Sequence, residues 1–483
     1  MELTFVGLFQ IVVGGLIVLA GRPGSALAFL IASSLFDGSA AIVLPALGGS
    51  SIPPVQFALL FVYLRILVPR GGLYGHFPAA LRANAWLVLF CLYGLAMAFI
   101  GPRLFAGSID VFPMRPNPNG GLFDVVPLHP TSQNLTGGTY MVGAMLLAVG
   151  AYVLARSEKA TDALVSASVW SGWFLIVTGL LDVVSRGTPL EGVLNMFRNG
   201  DYAQFSVDVQ GFVRIRGLMP EASTYASCCF AFFVVNSELW YRAIRPRATG
   251  WLAIALSLVL LLSTSSTAYV ALGAYFAFLV VRALALPRLV PDGRIRRIMG
   301  FAFILLFLAA VMLAVVPSLP DAVFSMIVSM TVDKSSSLSG QQRLFWALQG
   351  IDALVKSHGL GIGPGSFRSS SIFFAILGSM GVIGIVSFTL YLLAVFQPMR
   401  RSSWGQASWE KGTDIAQTAG GAFASAAILG LIPAAVGSPV ASPAATFTIF
   451  AGAALALRPA LSRSRRALDE AGRQAPASNP AAT

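Results

Sequence analysis

Residues 371–396 read SIFFAILGSMGVIGIVSFTLYLLAVF, a stretch without one Asp, Glu, Lys or Arg. At about 1.5 Å per helical residue it is long enough to cross a hydrocarbon layer roughly 30 Å thick. Comparable apolar runs stand near 4–20, 25–47, 53–69, 83–101, 138–155, 163–183, 222–239, 251–267, 268–286, 298–316, 415–434 and 441–457. The chain therefore reads as an all-α, polytopic transmembrane bundle of about 13 helices, within a range of 11 to 14, filling residues 1–457. Composition agrees: 56% of the 483 residues are hydrophobic and 11% are charged. Soluble domains carry about 25% charged residues, so too few are present here to clothe a soluble surface. A soluble enzyme, a disordered chain and a disulfide scaffold are thereby disfavoured.

The net charge of +12 fits the Lys/Arg excess of cytoplasmic loops better than nucleic-acid binding, for which no motif is present. One set of connections holds 22 of the 32 basic residues and the other set 10. The richer set is expected in the cytoplasm, which puts the N-terminus outside and the C-terminus inside. Three long connections then lie outside, near 102–137, 184–221 and 317–370, where chemistry is expected. The first run resembles a signal peptide, but it lacks a positive n-region and is read as a retained helix. The tail 458–483 ends in QAPASNPAAT and is expected to be disordered. Cys91, Cys228 and Cys229 lie in apolar runs and read as packing residues. There is no Walker motif.

Two outer connections carry candidate chemistry. In the first, Arg214 and Arg216 precede a helix opening near Pro220-Glu221-Ala222-Ser223. Paired guanidiniums at a membrane surface suit a phosphate-bearing lipid, or are simply solvated. Glu221 is expected in the first helical turn, where a carboxylate complements the helix dipole. The second connection reads SGQQRLFWALQGIDALVKSHGLGIGPGSF from Ser339. Its mixed face predicts a helix lying along the membrane. Arg343 and His358 return to one face of such a helix but about 22 Å apart along it. They hold two ends of a long substrate, or the helix breaks, with Gly350 the candidate. Gly361, Gly363 and Gly365 form a tight re-entrant turn whose backbone N–H groups could cradle phosphate. Ser263 to Thr267 read as a polar turn between two spans.

These segments, in this order, resemble the O-antigen ligase/polymerase family of bacterial cell envelopes. The resemblance covers mainly residues 210–392. Its strongest element is Ser339-Gly340-x-x-Arg343-x-x-Trp346, followed by His358 and Gly361-x-Gly363-x-Gly365-x-Phe367. Arg216-x-Gly-Leu-x-x-Glu221-Ala-Ser223 is similar to the family's Arg…Gly-Leu…Glu-Pro-Ser segment, with Ala222 in place of proline. Ile42 to Ser50 and Thr131 to Thr136 are similar less specifically. The resemblance implies a GT-C-like fold and an inverting glycosyltransferase of the inner membrane that uses no metal or other cofactor. Its donor would be an oligosaccharide on undecaprenyl pyrophosphate at the periplasmic face. A flippase and a chain-length regulator would be its companions, and nucleic acid would not. On this reading Arg214, Arg216 and Arg343 bind the pyrophosphate, His358 or Glu221 takes the acceptor proton, and the glycines support the loop.

Polymerisation of lipid-linked repeat units into exopolysaccharide or O-antigen leads the alternatives. Ligation of finished glycan to lipid A–core comes second, because Ser266-Thr267 stands where ligases carry Ser-Arg. The third class is a transporter without chemistry. Its hallmarks are repeats and charges near mid-membrane. No repeat is evident, and the acidic residues inside the runs are Asp37 and, near an end, Asp182.

Overall fold

The computed structural model describes residues 1–45, 50–69, 72–115, 121, 123–200, 214–285, 300, 338–396 and 414–458. The run expected at 298–316 (Gly300 apart), residues 317–337 of the third outer connection and the tail beyond 458 lie outside the described residues. Within them the chain is mostly helical. The helices are α1 (Phe5–Ala20), α2 (Pro23–Ser33), α3 (Pro54–Leu67), α4 (Phe77–Ala83), α5 (Ala85–Leu104), α6 (Ser132–Ala155), α7 (Ala160–Val184) and α8 (Pro189–Met196). They continue with α9 (Ala222–Tyr241), α10 (Pro246–Leu262), α11 (Ser266–Ala285), α12 (Leu338–Lys356), α13 (Ile372–Phe396), α14 (Ile415–Leu429), α15 (Leu431–Gly437) and α16 (Ala445–Ala456). Five stretches are long and apolar enough to cross a membrane: α5, α6, α7, α13, and α14 with α15. Among the described residues α1, α2, α3, α10 and α16 are apolar but shorter, and α11 is apolar over Ser266–Arg282.

Local sequence sets several boundaries. Pro23, Pro54 and Pro246 open α2, α3 and α10, where the missing N–H costs nothing. Thr131 and Asn134 form a capping box at the start of α6. The expected run at 25–47 is helical only to Ser33. Beyond it the chain turns and Ile42–Leu44 pairs antiparallel with Ser50–Ile52 and with Glu2–Leu3, a small sheet that the all-α expectation lacked. Three β-branched or aliphatic residues followed by Pro45 suit a strand better than a last helical turn, because proline disfavours helical backbone in the residue before it. A second pair joins Asp110–Val111 to Val126–Pro127.

The bundle core is aromatic and small-residue packing. Phe423 and Phe232 both meet Phe450 edge-on, at 5.4 and 5.6 Å, which ties α14, α9 and α16 together. Gly452 brings α16 against the backbone of Ala148 in α6, so closely that a methyl there would overlap the Ala148 carbonyl. Close backbone approach at small residues is how helices associate in lipid.

The described connections sort to two ends. At one end Arg65 donates to the Gly21 carbonyl (2.8 Å), Arg156 to that of Ala456 (2.9 Å), Arg245 meets Asp162 (3.1 Å) and Arg458 caps Ala394. All of these basic residues belong to the Lys/Arg-rich set. The last turns of α9 and α11 carry a buried ion triad there, in which Glu238 accepts from Arg242 and from Arg282 (2.9 Å). The connections following α2, α5, α7, α12 and α15 meet at the other end.

Candidate functional site

That other end holds a cavity of about 460 Å³. It is lined by Asp37, by Gln56 of α3, by Gln133 to Leu147 of α6, by Glu221 to Ser227 around the start of α9, by Pro364 to Arg368, and by Pro433 to Ala445. Gln133 and Leu147 are fourteen residues apart, roughly 21 Å along α6, so the cavity runs well into the bundle. Its wall is polar at the mouth and apolar at Met141, Ala144 and Leu147.

At the mouth Glu221 and Arg368 line the cavity, Arg214 lies within electrostatic range of Glu221, and Arg343 lies within range of both Arg214 and Arg368. Glu221 is the N-cap residue of α9 (φ −147°, ψ 162°), one position before the helical turn expected for it, and its side chain does not cap the helix. Its carboxylate instead accepts from the Ser223 hydroxyl. Arg214 and Arg368 both feel the attraction of Glu221 and the repulsion of Arg343. Burial is the larger influence and pushes both guanidinium pKa values down. Arginine nevertheless stays charged at neutral pH, so the site holds desolvated positive charge. Arg368 is fixed by its N–H to the Phe112 carbonyl (3.0 Å) and by stacking 4.9 Å over the Trp346 ring. Among the described residues the Nε atoms of Arg214 and Arg368 are buried without a hydrogen-bond partner. Donors left so are costly, and an anion at the mouth would satisfy them.

Arg216 is not part of this group. Its backbone N–H donates to Asp182 Oδ2 (2.9 Å) and its guanidinium lies 4.0 Å from Oδ1 of the same carboxylate. Asp182, at the end of α7, also accepts from Arg198 and from the Gly217 N–H (3.3 Å). Arg216 thus anchors its connection, a buried structural ion cluster that two flanking arginines in sequence could not distinguish from a ligand-binding pair.

Of the two alternatives for this helix, the break at Gly350 is not found. α12 is unbroken, and Gly350 serves close packing, for its Cα faces the Phe374 carbonyl. α12 runs parallel to the first half of α13: the Ser370 hydroxyl donates to the Arg343 carbonyl (2.6 Å), Gly350 meets Phe374, and Val382 N–H donates to Gly359 (2.9 Å). Residues 359–371 then carry the chain back to the mouth, which makes the pair re-entrant. Its apolar outer stripe is Leu344, Leu348, Ile351 and Val355.

His358 closes α12 in a left-handed conformation (φ 50°) and is exposed. It stands about 22 Å from Arg343 along the intact helix. Leu360 beside it accepts from Tyr93, eleven residues before the mouth end of α5. The structure therefore separates His358 from the arginine cluster. Gly361, Gly363 and Gly365 have φ of 89°, 94° and 82°. The N–H of Gly361 goes to the Ser357 hydroxyl (2.8 Å), that of Ile362 to Gly378 (2.9 Å) and that of Gly363 to Ser379 (2.8 Å). Those groups are spent on protein acceptors, so the N–H groups of Gly361 and Gly363 do not cradle phosphate. In the polar turn, Ser263 and Thr264 likewise bond their own backbone, and Thr267 lines the cavity.

Sequence reading missed Arg368, although it follows Phe367 directly, because nothing local shows that the return strand ends at the mouth. It noted Asp37 only as an acid inside an apolar run. Asn134 ties the two loops: its amide donates to the Pro364 carbonyl (3.0 Å) and to the Ser366 hydroxyl (2.9 Å). Fold and site together define a mostly helical protein with apolar helices suited to a lipid bilayer and a deep cavity that Glu221 and Arg368 line. No protein-family model matches the chain, and no curated protein is similar enough to count as a relative.

Proposed function

We propose that the chain is a membrane glycosyltransferase that polymerises oligosaccharide repeat units carried on undecaprenyl pyrophosphate, at the periplasmic face of a bacterial inner membrane. The observation that carries the reading is the charge at the cavity mouth, where Glu221 and Arg368 line the wall and Arg214 and Arg343 lie within electrostatic range. A pyrophosphate leaving group develops negative charge as the sugar–phosphate bond breaks, and preorganised guanidiniums stabilise that charge. The bond broken is itself activated, so no nucleotide is needed. The cavity offers room for the acceptor sugar beside that centre. The polymerase reading over ligation rests on the resemblance, with Ser266-Thr267 lacking the ligases' arginine.

The test is purified protein with purified lipid-linked repeat units in EDTA. Polymer of several repeats is expected, since the resemblance implies a metal-independent reaction. In a deletion strain single lipid-linked units should accumulate. Long lipid-linked polymer persisting there, with none joined to lipid A–core, would mark a ligase instead. Movement of lipid-linked units without a new glycosidic bond would mark a transporter.

A further inference from the structure

The turn after α2 is held in place by contacts distant in sequence. The Ser39 hydroxyl donates to the Phe197 carbonyl, the Ala40 N–H to Asn199 Oδ1 (2.8 Å), and the Gly200 N–H to the Gly38 carbonyl (3.1 Å). Gly38 packs on the backbone of Leu218 to Pro220, where a methyl would fall 3.2 Å from Pro220 N. The outcome is that Asp37 and Glu221 line the same cavity, with Pro220 between them in the wall. We propose that Asp37 takes the proton of the attacking acceptor hydroxyl, a role that rests on the glycosyl-transfer reading above.

Three observations select it. Glu221 is engaged by the Ser223 hydroxyl and lies in the field of Arg214 and Arg368. His358 is far from the cluster. Asp37 lines the cavity with its side chain exposed there, and the surrounding protein, by desolvating the carboxylate, pushes its pKa up to about 6. A base poised near the working pH is more effective than an ordinary carboxylate. Among the described residues, the charged and titratable groups around it include Tyr140 of α6, Cys228 of α9, Arg115 beyond Tyr140, and Glu221. Arg198 on the neighbouring loop is committed to Asp182.

The step balances without a further reactant. The acceptor O–H bond breaks and its proton goes to a carboxylate oxygen of Asp37. The hydroxyl oxygen forms the new bond to the anomeric carbon from the face opposite the leaving group. The bond from that carbon to phosphate breaks, and its electron pair leaves with the polyprenyl pyrophosphate. Asp37 then returns its proton to water.

The experiment compares wild type, Asp37→Asn and Asp37→Glu as purified full-length proteins on lipid-linked repeat units. Wild type should lose rate as pH falls through about 6, because protonated Asp37 is no base. Asp37→Asn should lower kcat about 10²–10⁴-fold with the acid limb gone, while polyprenyl pyrophosphate still raises its Tm as in wild type. Asp37→Glu should keep part of the rate. Asp37→Asn turning over within threefold of an active wild type, or losing polyprenyl-pyrophosphate binding together with rate, would overturn the role of Asp37 and leave the polymerase reading standing. A wild type that makes no polymer overturns both.

Discussion

Arg216 and Arg368 exchange the roles that neighbouring residues would assign them. Arg216 sits in the motif-like segment yet is bound to Asp182, while Arg368 sits beyond the glycines and reaches the mouth. Substitution should separate the two. Arg343→Ala and Arg368→Ala should each raise the KM for the lipid-linked donor about 10–100-fold, as expected for losing a hydrogen bond between charged groups. Lysine should rescue neither, since an ammonium does not reproduce a guanidinium's forked donors. Asp182→Asn should act differently: breaking a buried ion cluster costs about 3–5 kcal/mol, read as a lower Tm in detergent. His358→Ala should turn over at close to the wild-type rate. If His358→Ala falls a hundredfold while Arg368→Ala is unaffected, the site is misplaced.

Among the elements, the re-entrant pair of α12 and α13 depends on glycine. Gly381 interrupts α13 with φ 57° and ψ −149°, and its Cα touches the Gly359 carbonyl. Gly361 fills the space opposite, with φ 89° and no room for a methyl, which would lie 2.5 Å from Ser379 and Met380 backbone. A side chain there meets left-handed strain of about 1–3 kcal/mol and a backbone clash together. Gly361→Ala should therefore lower Tm and yield, and no added donor lipid should restore its rate. A Gly361→Ala protein with wild-type Tm would show that the return strand is not packed as described. The glycine spacing announced a tight turn correctly. What it did not reveal is that the N–H groups would find protein acceptors, because two of those acceptors, the Gly378 and Ser379 carbonyls, lie on α13.

For the whole molecule, the split of basic residues in the sequence and the sorting of connections in space agree. Arg65, Arg156, Arg245 and Arg458 gather at one end, while Asp37, Arg115, Glu221 and Arg368 gather at the other. The positive-inside tendency leads us to propose that the cavity end faces the periplasm. Reporter fusions after Gly107 and after Gly187 should score as periplasmic, and one after Glu158 as cytoplasmic. The reverse pattern would place the cavity in the cytoplasm, where no periplasmic donor reaches it.

The sequence by itself determined that the chain is a helical bundle for a bilayer, which connections share an end, and that the chemistry-bearing loops belong to the charge-poor end. Those properties follow from apolar run length and from charge, both of which are additive along the chain. Tertiary structure alone decided that the run at 25–47 stops at Ser33, that α12 folds back beside α13, and that Arg368 and Asp37 face one cavity. Each of these depends on contacts between segments scores to hundreds of residues apart, such as Asn134 with Ser366 and Ala40 with Asn199. A local window holds one partner of such a pair and so cannot tell an arginine that binds a ligand from one that binds a buried aspartate.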